Sequence, residues 1–500
     1  MTVSRRNFLK WSGASVVGVG AAAAGVSTGW AKTPTAFAQE QGSPELHVLN
    51  RLTWGVRPAD LERIAELGIA GYIDWQLDYQ NVADPLVDGF VASRRMLSMS
   101  LTELDDLLQI NYENVLITAL WARLYRAAFS ERQLYERMVE FWTDHFNIPI
   151  PDLVAGKVVD DREVVRKHAL GSFRDLLFAS AQSPAMLYYL DQFNSTKEHP
   201  NENYARELME LHTLGVEGGY TEVDVVEVAR AFTGWTIREE WREGFIYSQD
   251  AHDTDEKTVL GVTLPAGRGI EDGLQVLDLL VRHPATARFI SKKLVRRFVS
   301  DAPPDALVES TALVFMTTDG DLKQVMRHIL TSPEFMASQG QKFRRPLDFV
   351  VAMLRALQPG IDVEYPAAVV YTLEPMSQLP YFWFPPNGYP DVAGAWISTN
   401  GLLNRWNAAI NLAAAGEGMF EGVALNLDMV IPEAATVGEL VDTAAQHILG
   451  APLPDADRTH FINFVSRDGD EGQRVDTDLR NTKLSGVVGL LMASPYFQWR

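Results

Sequence analysis

Residues 101–145 read LTELDDLLQINYENVLITALWARLYRAAFSERQLYERMVEFWTDH, and this stretch decides the fold class. Apolar positions recur every three or four residues through two long runs, broken near Ser130 and Glu131. That is the period of a helix, not the two-residue alternation of a strand. The pattern extends in both directions. Upstream, Pro58-Ala59-Asp60 opens a helical turn, Leu61, Ile64 and Leu67 share a face, and Gly68 stops it before Ile69, Tyr72, Ile73 and Leu77 begin another. Downstream, Ser172 to Asp175 starts an amphipathic stretch. Further helices are predicted over 202–215, 221–234, 271–282, 284–300, 304–316, 321–332, 346–357, 399–414, 436–448 and 483–494.

Strand signals are few. Thr236–Arg238, Gly244–Ser248 and Thr258–Leu264 read as a small hairpin insertion, or as an irregular loop with extended residues. Residues 359–398 are dense in proline and aromatics, a long ordered loop rather than a linker. Ser183-Pro184, Ser332-Pro333 and Ser494-Pro495 each follow an apolar run and read as recurrent helix stops. The expected fold is therefore mainly α: a large multi-helix orthogonal bundle with a β-hairpin insertion and a long Pro/aromatic loop. Its expected division is a signal peptide at 1–38, a helical region at 39–235, the insertion at 236–265, and a second helical region at 266–500 packed on the first.

The N-terminus predicts a route. Ser4-Arg5-Arg6-Asn7-Phe8-Leu9-Lys10 is a twin-arginine export signature, followed by a soft apolar stretch and by Ala36-Phe37-Ala38, a small-x-small cleavage site. Export in the folded state to the periplasm or beyond, with cleavage near Ala38, is expected. An uncleaved anchor is the rival reading, weakened by Gly13, Gly18 and Gly20.

The formal net charge is −21, and −25 over residues 39–500. So acidic a surface disfavours nucleic acid and anionic lipid as partners. No later run approaches eighteen apolar residues, so no membrane span is expected after the signal. Cysteine is absent, which excludes disulfides, thiolate-held clusters and a thiol nucleophile; any metal must take His, carboxylate, amide or backbone ligands.

Four stretches carry chemical groups. In Asn201 to His212, Tyr204, Leu208 and Leu211 form a buried seam, while Asn203, Glu207 and Glu210 share an adjoining face. Those carboxylates suit a divalent ion or acid–base work; the plainer reading is a solvated face with Glu202 pairing to Arg206. In the second, Trp142, Asp144 and His145 sit among aromatics at a helix end, placing an imidazole where burial displaces its pKa, or where it merely caps carbonyls. His252 and Asp253, with Lys257 behind them, lie in the insertion. The fourth runs from Phe384-Pro385-Pro386-Asn387-Gly388-Tyr389-Pro390 to Trp396, Arg405 and Trp406: either a rigid rim that stacks sugars or a packing plug.

These stretches carry a resemblance. Leu49 to Gly55, Phe141 to Phe146, His168 to Leu177, Asn201 to Gly215, Ala231 to Trp235, His252-Asp253 and His283 to Phe289 are similar to motifs of the exported bacterial proteins grouped as domain of unknown function 1800. The resemblance spans about residues 45–498. It implies a mostly helical exported protein and, because members are often encoded beside exported sulfatase-like proteins, a sulfatase-like partner. The loop at 385–390 departs from the family's usual Gly-Trp-x-Gly-Gly run.

The leading expectation is a metal-dependent enzyme, hydrolytic or oxidative, on an extracytoplasmic substrate. His145, Glu207, Glu210 and His252 would be ligands or acid–base groups, with Asp144 and Asp253 orienting the imidazoles and Trp142, Asn201, Glu202, Asn203, Arg206, Trp396 and Arg405 as binding residues. The rival is a non-catalytic platform gripping a glycan or the partner protein. Haem held by His and Met needs no cysteine, but nothing stands at haem spacing.

Overall fold

The computed structural model of the protein describes residues 42–238, 244–361, 367–414, 420, 423–466 and 468–500. The twin-arginine segment and its cleavage site lie outside the described residues. Helix follows helix along the chain, and the strands form three two-stranded antiparallel pairs, so the fold is mainly α.

Local chemistry explains the main boundaries. Ser100 and Glu103 close a reciprocal capping box at the start of Leu101–Phe129, and Thr221 with Asp224 does the same for Glu222–Ala231. Gly68, at φ +68°, kinks Pro58–Leu77 where two helices were expected to part. The Ser-Pro pairs do more than stop helices. Ser183, Ser332 and Ser494 are each the N-cap of a new short helix whose first residue is the proline: Pro184–Tyr189, Pro333–Met336 and Pro495–Gln498. Proline has no N–H for the first turn to satisfy, so the same pair ends one helix and begins the next.

The insertion consists of two hairpins. Trp235–Ile237 pairs with Phe245–Tyr247, and Lys257–Val259 with Val262–Leu264. The second turns on Leu260 and Gly261, both at positive φ, as a tight two-residue hairpin requires. It is tied to Glu222–Ala231 by side chains: Asp224 accepts from Leu260 N and Glu227 from Thr258 N.

Two hydrophobic clusters make the core. One gathers residues between Val48 and Phe335, on both sides of the insertion; the other runs from Trp54 through Leu101–Phe129 to the C-terminal helices and Phe497. The Gln133–His145 helix adds its aromatic face to the first cluster and turns the stripe Glu136, Glu140 and Asp144 the other way. That stripe meets a sheath of buried cations. Arg166 bonds Glu136, Arg297 and Arg345 bond Glu140, Arg345 also bonds Asp144, and Arg137 bonds Asp348 at 2.8 Å. Such buried pairs cost desolvation and return it only with good geometry; losing one partner is what destabilises.

Candidate active site

The end of the Gln133–His145 helix is where the expected stretches meet. His145 is buried, its ring edge-on to Phe146 with centroids 4.5 Å apart. Its Nε2 lies 3.0 Å from the carbonyl of His212, and its Nδ1 lies 2.8 Å from Lys293 Nζ. These partners assign the tautomer: Nε2–H donates to the carbonyl and Nδ1 accepts from the lysine. Burial, then the neighbouring Lys293, holds the His145 pKa well below its ordinary value. His212 is pushed down to about 3 by the same two causes, and its Nε2 is buried without a hydrogen-bond partner among the described residues.

Lys293, on the helix Pro284–Phe298, supplies a group that the sequence reading missed. Burial drives its pKa down to about 8, against the pull of Asp144 and Asp391. Asp144 is shifted up, chiefly by burial and despite Arg345. An amine that loses its proton near neutrality, against a neutral imidazole, is what general-base or nucleophilic lysine chemistry requires.

His212 comes from a π-helical turn, Leu208–Thr213, that follows Glu202–Glu207. Such turns widen a helix and re-aim its groups, often at functional sites. Glu207 is half-buried, and burial, then Glu210, raises its carboxyl above the usual range. Its charge reaches Tyr189, whose hydroxyl donates to Phe384 O at 2.5 Å.

The Pro/aromatic loop closes over this helix end. Asn147 Nδ2 donates to the carbonyls of Trp383 and Pro385 at 2.7 and 2.8 Å. Gly388, at φ +71°, lies so close that a Cβ there would stand 2.0 Å from the Asp144 carbonyl oxygen. Tyr389 donates to Leu379 O, while the Asp391 carboxylate faces Arg297 and Lys342. The outer edge stays open: Phe384 is exposed, as is Tyr188, whose ring stacks on Phe193.

The other candidates fall elsewhere. His252 is buried in the insertion, with Nδ1 2.8 Å from Thr233 O and Nε2 3.5 Å from Asp272. Lys257 bonds the same carboxylate at 2.9 Å, and Asp253 pairs with Arg230. This knot locks the insertion to the body, and none of its contacts is with His145, Glu207 or Glu210. Asn201 caps its helix and Asn203 donates to Leu190 O, while Glu202 and Arg206 form a surface pair that extends to Glu222. Trp142 donates to Ala169 O inside the core. Trp396 donates to Pro390 O, and Arg405 is fully buried over Phe343 and Phe349, so neither offers a surface to a ligand. Among the described residues, no three His, Asp or Glu side chains are grouped to hold a metal ion. His145, Glu207, Glu210 and His252, expected to share one ion, are not grouped in that way among the described residues. Sequence spacing carries no information on how distant helices dock.

No helix among the described residues is long and apolar enough to cross a membrane. No curated protein and no solved structure matches the chain. One family model matches residues 47–499, nearly the whole described body with the site included, and the chain accordingly belongs to the family described as protein of unknown function (DUF1800).

Proposed function

We propose that the protein is an exported acid–base enzyme acting on an extracytoplasmic glycan laid along the rim of Tyr188, Trp383 and Phe384. The observation that carries this reading is the 2.8 Å contact between Lys293 Nζ and His145 Nδ1. Lys293 takes or gives the proton at one end of the rim, His145 orients its amine, and Glu207, its carboxyl raised by burial, serves at the other. Proline and aromatic side chains offer flat apolar faces for the C–H faces of sugars, with little entropy to lose. Export by the twin-arginine route would place such an enzyme beside its substrate.

A metal-dependent reaction is the second reading, favoured by the unpartnered Nε2 of His212, with its ring 6.1 Å from that of His145. There an ion would take the His212 imidazole and displace Lys293 from His145. A platform for a glycan or a sulfatase-like companion would use the same rim and leave Lys293 dispensable.

The test is turnover of envelope-glycan fragments by the exported protein, followed by product chromatography. Activity that rises through pH 8, falls at least a hundredfold in Lys293→Met, and survives chelation supports the acid–base enzyme. Loss on chelation moves the reading to the metal. Glycan or partner capture without turnover, unchanged in Lys293→Met, leaves the platform.

A further inference from the structure

The helix Pro284–Phe298 carries a row of cations beside the candidate site. Phe289, Lys292, Lys293 and Arg296 are spaced three and four residues apart, so they share one face. Lys293 Nζ lies 5.6 Å from the centre of the Phe289 ring, and that ring stands 6.4 Å from the His145 ring, so this face is the one turned to the site. All four residues are partly exposed. Lys292 and Arg296 have neither an ion pair nor a hydrogen bond among the described residues, and of the Arg296 nitrogens only Nε is enclosed. Arg296 is also close enough to disfavour the Lys293 ammonium, in the same sense as burial does.

In a chain of formal charge −21, cations near the surface readily find a carboxylate, as Arg206, Arg230, Arg288, Arg327 and Arg458 do. The row beside Lys293 is left for an anion from outside. Charges more than about 8 Å away are largely screened at physiological ionic strength, so such an anion meets the row rather than the net charge. A carboxylate held by Lys293 itself would favour the ammonium, whereas one held by Arg296 leaves the amine neutral. The neutral amine still donates to His145 Nδ1, and its lone pair remains for a proton. A base beside a neutralised carboxylate is what removal of the proton α to that carboxylate requires, because the released charge flows into the carboxylate oxygens. A sulfate or phosphate ester would satisfy the row but offers the base no such proton.

Resting on the acid–base reading above, we infer that the substrate is a polyuronate cleaved by β-elimination, with Arg296 and Lys292 holding the carboxylate and Lys293 moving the proton. Lys293 Nζ takes the proton from the carbon α to the carboxylate, and the C–H electron pair passes into the carboxylate. The pair returns to form a carbon–carbon double bond as the β carbon–oxygen bond breaks. The leaving glycosidic oxygen then takes the proton back from Lys293. The balance closes on one amine: no water is consumed and nothing is oxidised or reduced. The products are a new reducing end and an unsaturated uronate.

The test incubates the exported protein with polymannuronate, polyglucuronate and polygalacturonate, with the same polymers after reduction of their carboxylates to alcohols, and with neutral glycans. Reducing ends and the ultraviolet absorbance of the new double bond are measured together. In the first two polymers the acidic proton and the leaving oxygen lie on one face of the sugar, within reach of one amine; in polygalacturonate they lie on opposite faces. The expected result is one unsaturated end per reducing end from polymannuronate or polyglucuronate, and none from the other polymers. Arg296→Gln should lower kcat/KM about a hundredfold. It should also move the acid limb of the rate to higher pH, since a cation that disfavours the Lys293 ammonium is gone, and Arg296→Lys should restore that limb. A merely structural arginine would lower activity without moving the limb. Lys292→Gln should raise KM several-fold, a check that stands even if Arg296→Gln does not fold. Saturated ends only, cleavage of the reduced or neutral polymers, unsaturated ends from polygalacturonate alone, or full activity in both Arg296→Gln and Lys292→Gln would overturn this inference and leave the acid–base reading standing. No turnover of any glycan in the panel would end both.

Discussion

Lys293 Nζ stands 2.8 Å from His145 Nδ1, while Asp144, the neighbour of that histidine in sequence, is bonded instead to Arg345 at 2.7 Å. Adjacent residues at one helix end thus serve two electrostatic environments. Asp144 belongs to the buried ion-pair seam. His145 looks the other way, into an aromatic pocket where, among the described residues, no carboxylate is hydrogen-bonded to Lys293. The low pKa of Lys293 follows from burial, which the pull of Asp144 and Asp391 does not offset.

The first prediction is a pH signature of Lys293. Below about pH 8 the amine is protonated in both folded and unfolded chains, and the cost of burying the charge is felt in full. Between about 8 and 10.5 the folded chain has released its proton and the unfolded chain has not, so the unfolded state binds more protons and stability rises with pH. The swing is at most about 3 kcal/mol. Urea unfolding at pH 7 to 10 should show this rise in the wild type and lack it in Lys293→Met. Parallel curves for the two proteins would mean that Lys293 titrates normally.

Gly388 is the fastening point of the Pro/aromatic loop. At φ +71° with the Asp144 carbonyl against it, no side chain fits without moving the loop or the helix end. Gly388→Ala should cost about 2 kcal/mol or more and expose the loop. Limited proteolysis should then cut within 383–398, whereas Gly394→Ala, where a Cβ meets nothing within 4 Å, should leave cleavage unchanged.

Much of this was legible in the sequence, for reasons that also mark its limits. Helices such as Glu271–Arg282 and Pro346–Leu357 have the bounds their apolar period implied, because that period reports one face buried against anything at all. The positive φ of Gly261 and Gly68 was readable from glycine itself. The ionic seam was not: Glu136, Glu140 and Asp144, four residues apart, look like a solvated face, and only the docking of Arg297 and Arg345 makes them interior. Lys293 escaped notice for the same reason, since one lysine in Ser291-Lys292-Lys293 has no local mark of burial. His252 shows the same limit from the other side. His-Asp in a loop suggested chemistry, whereas its neighbours Thr233, Lys257 and Asp272 make it a fastener.

That fastener gives the third prediction. Asp272, itself fully buried, takes the buried Lys257 at 2.9 Å and the partly exposed Arg268 at 3.1 Å. Asp272→Asn takes from Lys257 its nearer countercharge, leaving only Asp253 at 4.0 Å, and should lower stability by about 3 kcal/mol. Hydrogen exchange should show the loss concentrated in Lys257–Leu264, with the amides around His145 and Leu208–Thr213 still protected. Equal loss of protection at His145 would mean that the two sites are one.

Acid should unfold the protein through its seam. Burial pushes the Asp161 carboxyl up, but Arg166, Arg126 and Arg123 outweigh it and bring the pKa down to about 2. A depressed carboxylate contributes fully above its unfolded pKa, and that contribution fades as pH falls from about 4 through 2. Asp161 also accepts from Tyr381 at the root of the Pro/aromatic loop and pairs with Arg166 at 2.7 Å, so its charge holds loop and core together. Asp161→Asn should cost about 3 kcal/mol at pH 7, because Arg166 and Arg126 keep their charges, and should flatten the stability profile between pH 4 and 2. Urea midpoints at pH 7, 4 and 2.5 check both parts. A variant as acid-sensitive as the wild type would shift the origin of the acid limb to Asp348, which buried arginines hold below the usual carboxylate range, and to Asp391, which Lys342 and then Arg297 and Arg345 hold there, both against burial.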